Sequence, residues 1–203
     1  MDKLRLEVFS DSVFAFAITL LALGFALPDT RALSNHELAF ALLHLWPNLI
    51  AFGLSFSVIG LMWQNHHALF RFVHQVDRVT VSWNLLLLAG TVLIPFATRT
   101  LGSYPTLSAS TFFYGLVLSS CATFFNLILA HLARSGAFVP EVGAATITAA
   151  LRGYRAGWIV YICATLLALV LPIASFAIYI AIVAYFVLPR GAESGISLTA
   201  RRW

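Results

Sequence analysis

Glu7, Ser10 and Asp11 stand at the front of a long apolar run, Trp63, His66 and His67 near the end of a second, and Arg78 and Asn84 at the start of a third. Carboxylates and imidazoles gathered at one membrane depth suit two kinds of chemistry. They tie helices together through hydrogen bonds, or they hand protons along a relay, here one built from Glu7, Asp11, His66 and His67. An Asp facing lipid near the middle of a span costs about 2.5–3.5 kcal/mol, and less toward the interface. Asp11 therefore needs either hydration in the headgroup zone or a donor. The candidate donors to Asp11 and Ser10 are Trp63, His66, His67, Arg78 and Asn84. Glu7 and Asp11 are i and i+4, two like charges on one helix face, which calls for a cationic or hydrogen-bonding partner from another helix if both stay ionised.

Other chemistries lack their residues. His66 and His67 are adjacent and point about 100° apart on a helix, a poor chelating pair, and no HExxH or CxxC spacing occurs, so no metal is expected. Cys121 and Cys163 lie inside apolar runs and read as packing residues. Nothing resembles GxSxG, a glycine-rich phosphate loop or a paired-carboxylate site, and no cofactor or enzymatic activity is expected. Asn126 and His131 read as interhelical hydrogen-bonding groups, and Glu141 after Pro140 as the first turn of a helix.

These side chains need membrane helices to hold them. The chain is 61% hydrophobic and 10% charged, with mean hydropathy +0.91, against roughly 25% charged in a soluble domain. The formal charge of +4 sits in loops between apolar runs, which suits a lipid bilayer with anionic headgroups and not nucleic acid. Runs of about 20 apolar residues bounded by charge, Pro or Gly predict an all-α protein of six spans in one domain covering 1–203. They fall near 4–27, 47–72, 78–98, 106–132, 156–171 and 173–188, with Pro95 a kink or break and Pro172 dividing the last pair. Ser34 and Glu37 stand in capping-box spacing and predict a short interfacial helix before the second span. The acidic front end and the exit at Leu27 and Pro28 predict that the first run is retained, not cleaved. With the N-terminus inside, the inner loops and tails hold Lys3, Arg5, Arg71, Arg78, Arg134, Arg152, Arg155, Arg190, Arg201 and Arg202, the outer ones only Arg31 and Arg99. That asymmetry predicts both termini in the cytoplasm.

The first helix has two faces. At 100° per residue, Arg5, Phe9, Leu20, Leu23 and Leu27 fall within about 40° of Phe16, with Ser12 at that margin and Thr19 about 60° away. Asp11 lies about 140° round, beside Glu7, so the carboxylate and the Phe16 stripe meet different surroundings.

The segment Arg5-Leu-Glu-Val-Phe9-Ser10-Asp11 fits the pattern RxxxFSD, continues as FAFAITLLAL, and is accompanied by WQNHH from Trp63 to His67. It resembles the entry to the first span in prokaryotic members of the endolysosomal potassium-channel family, transmembrane protein 175. The resemblance implies a homotetramer in the prokaryotic plasma membrane that passes potassium ions in a leak-like way, without a TVGYG filter. It also implies that the first helix lines a central pore, with Phe16 at the hydrophobic constriction and Thr19, Leu20, Leu23, Leu27 and Ser12 as lining. Arg5, Phe9, Ser10 and Asp11 then join Trp63, His66, His67, Arg78 and Asn84 in holding the helices in register. Family members usually carry Ile or Leu where Phe16 stands, and Gly where Ser12 stands. The competing readings are a proton-conducting or proton-coupled transporter using Glu7, Asp11, His66 and His67, and a membrane scaffold or intramembrane enzyme that transports nothing.

Overall fold

The structure, a computed structural model, describes residues 2–25 and 34–187. Leu27 of the expected pore lining lies outside the described residues, as do Pro28 and four of the arginines used for orientation, Arg31, Arg190, Arg201 and Arg202. The described chain is helical throughout: α1 (Lys3–Leu20) running into a 3-10 turn (Leu21–Gly24), α2 (Asn35–Leu43), α3 (Trp46–Arg71), α4 (Arg78–Ser103), α5 (Ser108–Ser135), α6 (Ala144–Leu167) and α7 (Pro172–Val187).

Four of these units are long and apolar enough to cross a membrane: Lys3–Gly24, Trp46–Arg71, Arg78–Ser103 and Ser108–Ser135. The 16 residues of α7 are fewer than the usual span, and the 24 of α6 include Arg152 and Arg155.

Local chemistry sets several helix ends. Asp2 caps α1 by accepting from the Leu4 N–H. Ser34 and Glu37 close the capping box that opens α2, each side chain accepting from the other's backbone N–H. Asp77 Oδ1 caps α4, accepting from the backbone N–H (2.8 Å) and the hydroxyl (2.7 Å) of Thr80. Gly136 ends α5 at φ +66°, a left-handed conformation that glycine adopts without the steric cost a side chain brings.

Three sequence expectations are corrected. Pro95 does not end the third helix, which continues to Ser103, because Ile94, Ala97 and Leu101 form one buried face that holds the turns after the missing N–H. The helix expected from 156 starts at Ala144 and ends at Leu167, and after a turn at 168–170 Pro172 opens α7, dividing the pair. Glu141 is not in a helical first turn. Residues 137–139 are kept extended by an antiparallel bridge between Val73 and Phe138 and by the Val139 N–H bond to the Phe72 carbonyl (2.9 Å), so the helix waits for Gly143.

α4 is the central helix, packed on α1, α3 and α5, while α6 packs on α5 and α7. Leu87, Leu88, Ile94 and Leu101 of α4 and Ile128, Leu129 and Leu132 of α5 are buried in the core. On the far side from α1, Gly115 lets Tyr179 of α7 enter against α5, where a Cβ would stand 2.0 Å from its hydroxyl oxygen.

Candidate pore helix and its fastening

α1 is covered on one side only. Leu6, Ser10, Phe14 and Ala17 are buried, and Leu21 continues that side in the 3-10 turn. On the wheel these five lie between about 80° and 160° from Phe16. The opposite face is largely uncovered by the described residues. Phe16 is 66% and Leu23 73% exposed, Phe9, Ser12, Thr19 and Arg5 are exposed with them, and Leu20 is half-buried at the edge.

The covered side is held by polar contacts to two neighbouring helices. The Trp63 indole N–H of α3 donates to Asp11 Oδ1 at 2.9 Å. The Asn84 side-chain amide of α4 donates to Ser10 Oγ at 2.9 Å, and Ser10 in turn donates to the Leu6 carbonyl at 2.8 Å. Asn84 Oδ1 lies 2.9 Å from His66 Nε2, and since the amide oxygen only accepts, the imidazole donates through Nε2. The three bonds form a triangle: α1 to α3, α1 to α4 and α3 to α4. Ser10 and Asn84 are fully buried and His66 is 1% exposed, so none of the three has water as an alternative partner. Aromatic rings seal the triangle. Phe14 meets His66 edge-on at 5.5 Å, Phe70 stacks on it at 4.4 Å, and His67 stacks on Trp63 at 6.1 Å.

Of the expected donors, Trp63 reaches Asp11, Asn84 reaches Ser10, and His66 reaches Asn84 instead of Asp11. His67 contributes its ring, and neither Arg5 nor Arg78 forms an ion pair among the described residues. Glu7 pairs with Lys3 of its own helix at 3.9 Å, not with another helix as its spacing to Asp11 had suggested. Phe14 and Phe70 were missed in the sequence. The signal for Phe14 was its place about 160° from Phe16, on the Ser10 side, though in so aromatic a chain that position alone singles out no partner.

A second clasp sits two turns before Asn84. His131 of α5 donates from Nε2 to Asp77 Oδ2 at 2.7 Å, and Asp77 caps α4. The backbone N–H of Thr80, then its hydroxyl and His131, hold the Asp77 carboxyl far below the usual carboxylate range. Beside it, His74 donates to the Ala137 carbonyl at 2.8 Å, closing the α3–α4 loop on the α5–α6 loop. Asn126 is held by the Ala122 and Tyr154 carbonyls, the second of these on α6. No group of His, Cys, Asp and Glu that would hold a metal ion occurs among the described residues.

Fold and site together define a multi-span helical membrane protein whose N-terminal helix is fastened on one side and uncovered on the other. Residues 5–95 match the family model for the endosomal/lysosomal potassium channel TMEM175. A potassium channel of Chamaesiphon minutus is 33% identical over 93% of this chain and 95% of its own length. The crystal structure of a lysosomal potassium-selective channel TMEM175 homologue from the same organism superposes with a TM-score of 0.82 at 32% identity, covering 95% of this chain and 97% of that one. The chicken endosomal/lysosomal proton channel TMEM175 is 38% identical over 48% of this chain, which spans 21% of that protein. The chain belongs to the TMEM175 channel family. It is a membrane channel of that family.

Proposed function

We propose that this chain is a potassium-selective, leak-like channel of the prokaryotic plasma membrane: a homotetramer of six-span subunits, both termini cytoplasmic, with α1 of each copy lining the shared axis. The observation that carries this reading is the division of α1 into a fastened side and an uncovered one that holds Phe16, Thr19 and Leu23. Four such faces around an axis make an apolar conduit with Phe16 as its narrowest ring, a constriction that controls ion passage through dehydration instead of a carbonyl filter.

The hydroxyls on this face favour a cation. Thr19 donates to the Phe16 carbonyl at 2.7 Å and Ser12 to the Val8 carbonyl at 2.8 Å. Their hydrogens are occupied within the helix, so what they offer the axis is oxygen lone pairs, which stabilise a partly dehydrated cation and not an anion. A larger, more weakly hydrated cation gives up water at such a ring more easily, which is the basis proposed for potassium over sodium. The triangle of Asp11, Ser10, Trp63, His66 and Asn84 keeps α1 from rotating, so the same face stays toward the ions.

Potassium and sodium flux from proteoliposomes tests this reading. Phe16→Ala is expected to raise flux or relax selectivity, and Asp11→Ala to disturb assembly. Unchanged flux in Phe16→Ala, with control found at residues elsewhere, would remove the pore assignment. The name of the chicken relative raises proton passage as a second reading. Glu7, Asp11, His66 and His67 are engaged separately, with Lys3, Trp63, Asn84 and the Trp63 ring, and among the described residues no hydrogen-bonded chain links them. Flux driven by pH without potassium, and lost on neutralising Asp11, would favour that second reading.

A further inference from the structure

α6 carries two arginines in a place that helix packing does not explain. Tyr154 faces inward: its hydroxyl donates to Asn65 Oδ1 of α3 at 3.1 Å, and its ring meets Phe125 of α5 at 4.8 Å. Measured from Tyr154 around the helix, Arg155 lies about 100° and Arg152 about 160° away, on the outward side. Both are exposed, and neither forms an ion pair among the described residues.

The same outward sector continues as an apolar strip. Ile159 and Leu166 fall about 140° and 120° from Tyr154, and they are 49% and 57% exposed. From Arg155 to Leu166 the strip runs about 16 Å at 1.5 Å per residue, close to the roughly 15 Å of one leaflet's hydrocarbon. The uncharged part of α6, from 156 to 167, extends only about 18 Å, short of a bilayer of about 30 Å. The arginines are therefore drawn to the headgroup boundary, where guanidinium groups reach for phosphate. α6 packs on α5 and α7 while α1 packs on α3 and α4, so this sector lies away from the first helix.

The geometry points to a binding site for one anionic phospholipid on the outer face of α6, its phosphate held by Arg152 and Arg155 and an acyl chain lying along Ile159 and Leu166. Charge complementarity at the top of the strip and apolar length below it match an amphiphile with a negative head. This does not depend on which ion the channel passes.

The test measures lipid binding to the whole, delipidated protein by native mass spectrometry, with phosphatidylglycerol and phosphatidylcholine as probes. The wild type is expected to prefer phosphatidylglycerol. Arg152→Gln with Arg155→Gln is expected to lose about 30-fold of that preference, from about 1 kcal/mol for each arginine at an anionic surface, while Arg155→Gln alone loses about 5-fold. Arg134→Gln, an exposed arginine at the end of α5, serves as control and should keep the preference. Arg152→Lys with Arg155→Lys retains the charge and should keep most of it, which separates lost binding from misfolding. A wild type that does not discriminate between the two lipids would overturn the site. So would a double Gln variant that discriminates as well as the wild type, or a control that loses as much. A change of oligomeric state in the double Gln variant with lipid preference intact would assign the sector to a second copy instead.

Discussion

Asn84→Ala removes the residue shared by two sides of the α1–α3–α4 triangle. Its amide donates to Ser10 and its oxygen accepts from His66, both at 2.9 Å, and all three residues are essentially inaccessible to water. Interhelical hydrogen bonds inside membranes contribute on average about 0.6 kcal/mol each, so the two bonds together account for about 1.2 kcal/mol. The substitution also leaves the His66 Nε2–H buried without an acceptor, which adds about 1–3 kcal/mol. The expected loss is therefore about 2–4 kcal/mol. Ser10→Ala removes the bond from Asn84 and the local bond to the Leu6 carbonyl of its own helix; only the first joins two helices, so it should cost about 0.6–1.7 kcal/mol. The double variant should cost less than the sum of the two, because the Ser10–Asn84 bond is then counted once. Thr100→Ala is the control: its hydroxyl donates to the Phe96 carbonyl of the same helix at 3.0 Å and so joins no two helices by that bond. The assay is reversible unfolding of the detergent-solubilised protein in increasing dodecyl sulfate, followed by tryptophan fluorescence. A loss under about 0.5 kcal/mol for Asn84→Ala, or additive costs for Ser10→Ala and Asn84→Ala, would refute the argument that this triangle fastens α1.

Phe16→Ala should raise potassium flux in proteoliposomes several-fold while leaving the unfolding midpoint nearly unchanged, since Phe16 is 66% exposed; a large stability loss would place it in packing instead. Gly115→Ala puts a Cβ 2.0 Å from the Tyr179 hydroxyl oxygen and 2.5 Å from Thr165 Oγ1, both in a buried site. It should destabilise by about 1–3 kcal/mol, and Tyr179→Phe, which removes the nearest atom, should recover part of that in the same unfolding assay. Asp77→Ala removes the cap of α4 and its link to His131, at a cost of about 0.5–2 kcal/mol near neutral pH. Because the folded-state pKa of Asp77 is depressed, its contribution is present in full above the ordinary carboxylate value near 3.9 and is lost as pH falls through the folded value. The stability gap between wild type and Asp77→Ala should thus narrow as pH falls below about 4; a gap that widens in that acid range would contradict the sign.

Much of the first helix was legible in the chain alone. Its rotation follows from 100° per residue, so the separation of Phe16 from Asp11 needed no neighbour to be known, and the capping box at Ser34 and Glu37 is a local pattern that forms wherever the helix does. The helix breaks were less legible, because they depend on competition. Pro95 is tolerated where a buried face of Ile94, Ala97 and Leu101 holds the turn, and α6 starts only after residues 137–139 finish bonding the α3–α4 loop.

The amino-acid sequence by itself determined which side of α1 is polar and which is apolar, that several long apolar helices suit a membrane, and that Asp11 needs either hydration or a hydrogen-bond donor. Only the tertiary structure decided that an indole and an amide supply them, that His66 serves Asn84 and not Asp11, and that Glu7 stays with Lys3. The physical reason is that helical period sets a side chain's direction relative to its own axis, whereas a hydrogen bond between helices depends on how α3 and α4 are rotated and shifted against α1. That rotation is set by the packing of Phe14, Phe70 and the α4–α5 core together, over separations along the chain that no local pattern records.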